Sequence, residues 1–113
     1  MKCTLAALVI WAFASATAAH SPLEDTSPGH GDRLGSTPSE LALTFKRDIR
    51  LTRVTWTYEE TQTGQMTLDG QKSFASRFKL PLQDMGKGTY LIEWRGLGDD
   101  GHAQKGTISF IVD

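Results

Sequence analysis

The stretch "TYLIEWRGLGDDGHAQKGTISFIV" (residues 89–112) contains two runs in which large apolar residues occupy every second position. The apolar positions are Tyr90, Ile92 and Trp94 in the first run and Ile108, Phe110 and Val112 in the second. Successive side chains of a β-strand point to opposite faces, so this alternation predicts two strands that each bury one face. The glycine- and aspartate-rich segment between the runs predicts a turn.

The same two-residue period recurs upstream. It is seen at Leu41, Leu43 and Phe45, at Val54, Trp56 and Tyr58, and at Phe74, Phe78 and Leu80. In the last group the small Ser76 occupies the position between Phe74 and Phe78. Between Leu51 and Val54 the alternation slips by one residue, which predicts a bulge or bend in a strand that begins near Ile49. No segment of ten or more residues shows the helical period. We therefore predict an all-β fold, an antiparallel Greek-key sandwich or barrel, with Trp56 and Trp94 in its core.

The first residues have the pattern of a secretory leader. Lys2 precedes an apolar run at residues 5–13 that is too short to span a bilayer, and small residues follow at positions 15–19. Cleavage after Ala18 and cleavage after Ala19 both fit this pattern, and we favour the second because it makes His20 the first residue. The predicted organisation is a signal peptide at residues 1–19 and one domain at residues 20–113.

Composition excludes several classes of function for this domain. Loss of the leader, which carries one lysine and no acidic residue, changes the formal charge from −1 to −2, and no basic cluster suggests a nucleic-acid partner. No second apolar run suggests membrane insertion of the mature chain. Cys3, the only cysteine, falls in the leader, so soft thiolate ligands for Cu(I) or an iron–sulfur cluster are missing. We expect a monomer.

Candidate chemistry centres on the segment "DDGH". Asp100 and His102 are two residues apart, and in an extended segment such positions project to the same side, so a carboxylate and an imidazole would point at one spot. Gly101 between them allows the backbone to bend. The alternative is a tight turn in which Asp-Gly serves only the backbone geometry. His30 is either an exposed turn residue or a further ligand.

A terminal His20 would add two nitrogen donors, because its α-amine and its imidazole Nδ1 can chelate one metal ion. With His102 and Asp100 this makes three nitrogens and one oxygen, a donor set that Cu(II) favours, whereas Zn(II) usually prefers a tetrahedral site. Pro22 has no N–H and stops amide chelation along the chain. Protons compete for these nitrogens, so binding is expected to weaken as the pH falls through about 6, where free imidazole titrates.

Several motifs resemble the CopC family of periplasmic copper-resistance proteins. They are Ser27, Pro28, Gly31 and Leu34; Pro38, Leu41, Leu43 and Phe45; and the segment "GTYLIEWRGLGDDGHAQKGTISFIV" at residues 88–112. The resemblance implies a Greek-key β-sandwich of cupredoxin-like shape and one Cu(II) ion bound by His20, Asp100 and His102. It further implies a role in copper homeostasis and the response to copper ions, with a CopD-like inner-membrane copper importer as a possible partner.

The chain departs from the family pattern at several places. Pro22 stands where some members have a second histidine, and Met66 and Met85 do not reproduce the methionine-rich Cu(I) site of others. Gly98 and Asp99 precede Asp100, where the family usually has a serine.

Two other classes of function stay open at this point. A copper-dependent oxidative enzyme could use a similar histidine-plus-amine centre, but its substrate platform needs exposed aromatics, and the aromatic residues here fall on core positions. An immunoglobulin-like partner-binding module would bind no metal. We expect a non-enzymatic Cu(II)-binding protein that sequesters copper or delivers it to the importer.

Overall fold

The computed structural model describes residues 22–68 and 73–113, and all regular elements in these ranges are β-strands. They are β1 (Leu23–Ser27), β2 (Arg33–Leu34), β3 (Glu40–Tyr58), β4 (Gln62–Gln65), β5 (Ala75–Pro81), β6 (Gly88–Gly98) and β7 (Ala103–Val112). Across these ranges, no helix has the length and apolar character needed to cross a membrane. The predicted leader, its cleavage position and His20 lie outside the described residues.

Strand β3 organises the fold because it pairs with four other strands. Its first part, up to Phe45, pairs with β1 and β5, and its second part pairs with β6 from Ile49 and with β4 from Thr55, while β5 meets β3 once more at Ile49. The partners therefore change at residues 46–48, which we call the β3 corner. One continuous 19-residue strand replaces the separate strand that the sequence predicts to begin near Ile49.

The predicted bulge is confirmed. In the pairing of β3 with β6, the register shifts between Leu51 and Arg53. The extra residue leaves Thr52 and Arg53 both exposed while Leu51 and Val54 are buried. A bulge places one more residue on one strand than on its partner, which is why the apolar alternation slips at this point.

Strands β6 and β7 form an antiparallel hairpin, as the opening stretch of sequence predicts. They pair from Gly88 opposite Val112 to Leu97 opposite Ala103, and residues 99–102 connect them. The short β2 then pairs with β7 in parallel at two positions. The fold is all-β and mainly antiparallel, with strand order β1-β3-β6-β7-β2 and with β4 and β5 also on β3.

The core is built from the alternating residues of β3, β5, β6 and β7. Its buried members are Leu41, Leu43, Phe45, Ile49, Leu51, Val54, Met66, Phe78, Leu80, Leu82, Tyr90, Ile92, Trp94, Ile108, Phe110 and Val112. Trp94 lies opposite Gly106 on β7, and a Cβ at that glycine would lie 2.6 Å from the indole Nε1. Gly106 is therefore required for the indole to approach the neighbouring strand this closely.

Two apolar residues differ from the sequence prediction. Phe74 precedes β5 and is 44% exposed, so it is outside both the strand and the core. Trp56 is only partly buried and packs against the edge of the core. Alternation identifies the face of a strand but not how fully neighbouring layers cover that face, and this explains the difference at Trp56.

Candidate metal centre

The turn between β6 and β7 is closed by main-chain hydrogen bonds. Gly98 N–H donates to the carbonyl of His102 at 2.8 Å, and Gly101 N–H donates to the carbonyl of Gly98 at 3.0 Å. Gly101 has a φ of 87°, in the left-handed region that glycine adopts without steric cost. The aspartate and histidine on either side of Gly101 are thereby presented on a tight, exposed turn.

Asp100 and His102 contact each other twice. The main-chain N–H of His102 donates to Asp100 Oδ1 at 3.0 Å, and His102 Nδ1 lies 3.1 Å from Asp100 Oδ2. The side chains are 53% and 82% exposed, respectively. The carboxylate and the imidazole thus converge on one spot that is open to a ligand. They converge through a turn, however, and not through the extended segment on which the prediction was based.

Hydrogen bonding favours the ionised form of the Asp100 carboxylate. The main-chain N–H of His102, followed by its imidazole, holds the pKa of the Asp100 carboxyl below its ordinary value. Both donors stabilise the charged form of the carboxylate. An ionised carboxylate oxygen is therefore available to a cation at neutral pH.

The donor atoms of this pair suit a borderline divalent cation such as Cu(II) or Zn(II). Both side chains could hold such an ion, with Asp100 supplying a carboxylate oxygen and His102 an imidazole nitrogen. Alternatively, the carboxylate orients the imidazole through Nδ1 and leaves Nε2 for the metal, an arrangement common around metal-bound histidines. Two side chains alone make an incomplete site, and within residues 22–68 and 73–113 no group of three His, Cys, Asp or Glu side chains is placed to hold a metal ion.

Pro22, the first described residue, lies beside the turn. It lines the same cleft as Asp99 and Asp100, and the residues of the β3 corner line this cleft as well. Its carbonyl accepts a hydrogen bond from Lys46 N–H at 2.9 Å. We call Pro22 and the strand β1 that follows it the N-terminal arm, and this bond attaches the arm to the corner. His20, two residues before Pro22, is not among the described residues, so its place at the site stays a prediction.

The β3 corner also holds the turn itself. Arg47 Nη2 lies 3.2 Å from Asp99 Oδ1, and this ion pair joins the corner to the residue before Asp100. Lys46 and Arg47 therefore connect the corner to both the N-terminal arm and the turn. Sequence reasoning missed this role, because Arg47 and Asp99 are 52 positions apart and no local pattern relates them.

His30 is not brought to this site. Its Nδ1 accepts a hydrogen bond from Ser109 N–H at 3.0 Å, and Gly31 N–H donates to the carbonyl of Ser109. Ser109 is seven strand positions from His102, a distance of roughly 20 Å along β7. The position of His30 in an exposed turn matches the first alternative stated for it. Met66 is buried in the core, and Met85 packs against it.

Comparison with family models gives one match. The model of the CopC domain matches residues 23–113. The match begins with β1 and includes every described strand and the turn that bears Asp100 and His102. A comparison with curated proteins finds no match.

Solved structures with a similar fold include one of a CopC protein and two of PcoC, a copper resistance protein. The crystal structure of CopC from Methylosinus trichosporium OB3b is 24% identical with a TM-score of 0.61, and the alignment covers 83% of this chain and 94% of that one. A structure of PcoC, described as a methionine-rich copper resistance protein from Escherichia coli, is 20% identical with a TM-score of 0.57 and coverages of 84% and 100%. A selenomethionine form of PcoC is 19% identical with a TM-score of 0.56 and coverages of 80% and 98%. At these identities the comparison shows a shared fold.

Proposed function

The chain belongs to the CopC family, and we propose that its mature form, residues 20–113, is a periplasmic copper-resistance protein that binds one Cu(II) ion. The observation that carries this proposal is the convergence of Asp100 and His102 on one exposed spot beside the entry of the N-terminal arm. A turn that served only the backbone geometry would not require a carboxylate and an imidazole in contact 3.1 Å apart.

The covalent chain brings His20 within reach of this spot. It is two positions before Pro22 in the sequence, so the covalent geometry limits the distance between their Cα atoms to about 7 Å. Pro22 and Asp100 line the same cleft, and Lys46 holds Pro22 in place. With a free α-amine, His20 supplies two nitrogen ligands, His102 supplies one, and Asp100 supplies an oxygen.

This donor set is the reason for proposing Cu(II). Three nitrogens and one carboxylate oxygen favour tetragonal Cu(II), which also heads the affinity order of the divalent first-row metals. No thiolate takes part, and the two methionines are packed in or against the core. Copper is the cargo of the protein, which sequesters it or delivers it to a CopD-like inner-membrane importer.

Burial of the aromatic residues supports binding over catalysis. Tyr90 and Trp94 are each 1% exposed and Trp56 is partly buried, so these side chains form no flat platform for a polymer substrate. We accordingly propose a monomeric binding protein without enzymatic activity.

The test begins with the intact mass of the exported protein, which is expected to correspond to a chain that starts at His20. Titration of that protein with Cu(II) at pH 7 is expected to show one equivalent and a type-2, nitrogen-rich EPR spectrum. The matched variant carries one extra alanine ahead of His20, which converts the terminal amine into an amide. We expect this variant to bind copper at least about tenfold more weakly. Unchanged affinity would show that the amine is not a ligand.

A further inference from the structure

The outer face of the sheet carries three cations in one line. Arg53 on β3 lies directly opposite Arg95 on β6, and Arg95 lies directly opposite Lys105 on β7. All three are exposed. Directly opposite residues of antiparallel strands have Cβ atoms about 5 Å apart and project from the same face. We call these three residues the basic row.

Within residues 22–68 and 73–113, the basic row forms no ion pair. The ion pairs among the described residues join Arg33 to Asp113, Arg47 to Asp99, Lys79 to Glu40 and His102 to Asp100, and none includes a member of the row. Glu93, two residues from Arg95 on the same strand, forms no ion pair with the row in the described part of the chain. Like charges directly opposite each other destabilise a sheet. A chain with a formal charge of −1 nevertheless places three positive charges side by side.

The β3 bulge creates this line of charge. It exposes Thr52 and Arg53 together and sets Arg53 opposite Arg95, while the Thr52 hydroxyl donates to the Arg95 carbonyl at 3.3 Å. Arg50 lies opposite Leu97, two positions beyond Arg95 on β6, and adds a fourth exposed cation to this face. Bulges serve to redirect side chains at functional surfaces. Here the redirected side chain completes the row.

The basic row lies next to the candidate metal centre. Leu97 and Ala103 form the pair that closes the turn, and Arg95 and Lys105 form the next pair on the same face. Two strand positions, about 7 Å, separate these pairs. A partner that contacts the row can therefore also reach Asp100 and His102.

We propose that the basic row is the docking site for an acidic segment of the partner protein that exchanges copper with this chain, an inference whose copper step rests on the proposed function. Carboxylates on that segment pair with the two arginine guanidinium groups, which suit planar, bidentate recognition, and with Lys105. Complementary charge accounts for a surface that destabilises the isolated domain. With Arg50 this surface has four cations, the lower end of the about four to eight in polybasic membrane-binding clusters, so an anionic membrane is the alternative occupant that the test must separate.

The test uses a hexaglutamate peptide as the acidic segment, titrated into the ¹⁵N-labelled mature protein and followed by amide chemical shifts. We expect shifts confined to the residues around the row. The triple variant Arg53→Ser, Arg95→Ser, Lys105→Ser should bind the peptide at least about tenfold more weakly. The charge-matched control Arg77→Ser, Lys79→Ser, Lys87→Ser should change the affinity less than twofold. Equal losses in both variants, or the absence of localised shifts, would overturn the proposal.

Three further measurements separate the alternatives. The row variant should melt at or slightly above the temperature of the wild type, because like-charge repulsion is relieved, whereas a structural role for these residues would lower its melting temperature. Vesicles of phosphatidylglycerol and phosphatidylcholine should not shift the same amides; binding to them without binding to the peptide would overturn the proposal in favour of a membrane. The row variant should bind Cu(II) like the wild type. A wild type that binds the peptide but no copper would contradict the proposed function and leave the docking site standing.

Discussion

Strand β6 begins at Gly88 beside polar groups that bind one another, and it ends at Gly98 in a turn whose carboxylate and imidazole are open to solvent. At the first end, the buried Tyr90 hydroxyl donates to the Gly86 carbonyl at 2.7 Å, accepts from Met85 N–H at 2.9 Å and lies 3.1 Å from the Thr37 hydroxyl. We call this the tyrosine end and residues 98–102 the turn end.

The two ends differ in whether their polar groups are committed to partners inside the fold or open to a ligand. A buried hydroxyl with its partners inside the fold has no capacity left for a ligand, and losing those partners would cost stability. At the turn end, Asp100 and His102 have partners mainly in each other, so a cation can compete for them with little loss of packing. We therefore expect substitutions at the two ends to affect different measurements.

The largest effect is expected at the tyrosine end. Tyr90→Ala removes a ring that stacks on Phe110 at 4.9 Å and contacts Tyr58 edge-on at 5.2 Å. We expect the free energy of unfolding, measured with urea, to fall by about 3–5 kcal/mol, as for other large aromatic residues replaced by alanine. Tyr90→Phe should lose only about 1–3 kcal/mol, because it keeps the ring and removes the hydroxyl. A change in the copper affinity of the folded variant would show that the two ends are coupled.

The next largest effect is expected at the turn end, and it should appear in the copper affinity and not in the free energy of unfolding. His102→Ala should weaken Cu(II) binding by at least about 100-fold, since removal of a ligand costs at least as much as removal of the groups that orient it. Its melting temperature should stay within about 2 °C of the wild type, because the side chain is 82% exposed. His30→Ala is the matched control, and it should leave copper affinity unchanged. Similar affinities for wild type and His102→Ala would remove His102 from the site.

A smaller effect is expected from the connection between the β3 corner and the turn. Arg47→Ala breaks the exposed ion pair with Asp99, and such pairs contribute up to about 1 kcal/mol, so we expect copper affinity to fall by no more than about fivefold. The control Arg77→Ala should have no effect on affinity. Recovery in the charge-reversed pair Arg47→Asp, Asp99→Arg would show that the ion pair positions the turn. No loss in Arg47→Ala would mean that the main-chain hydrogen bonds hold the turn unaided.

The smallest effect concerns the titration of Asp100 in the metal-free protein. Because hydrogen bonds from His102 lower the carboxyl pKa, its NMR titration midpoint should lie below about 3.9, the ordinary value for aspartate. A carboxyl pKa that is lower in the folded state than in the unfolded state adds to the stability of the fold. This contribution is complete at pH values above the unfolded-state pKa and is lost as the pH falls through the folded-state pKa. The group is exposed, so the accompanying change in melting temperature should be small. A midpoint at or above the ordinary value would contradict the double contact with His102.

Much of the fold was predictable because alternation directly encodes which face of a strand is buried. The runs around Trp94 and Phe110 became β6 and β7, and the slip between Leu51 and Val54 became the bulge. Alternation does not encode where one strand changes partners, so the continuity of β3 through its corner was missed. The exposure of Phe74 was missed for a similar reason, because alternation does not set the residue at which a strand begins.

The candidate site likewise has features that local sequence predicts and features that depend on strand pairing. Asp100 and His102 are two residues apart, and Gly101 and local hydrogen bonds bring them together, so sequence reasoning could place them side by side. Their role as ligands, and that of His20, remain predictions. The separation of His30 from the pair, the contact of Arg47 with Asp99 and the line formed by Arg53, Arg95 and Lys105 depend on strand register.

By itself, the sequence determined the all-β class, most of the buried positions on the strands and the juxtaposition of Asp100 with His102. These features depend on the two-residue period of strands and on turn chemistry, which act between residues near one another in the chain. Only the tertiary structure decided that β3 turns a corner beside the turn that bears Asp100 and His102, that Pro22 enters the same cleft and that three cations share one row. Such relations join residues up to 78 positions apart, from Pro22 to Asp100, and are set by the pairing of whole strands around a common core, which no local pattern specifies.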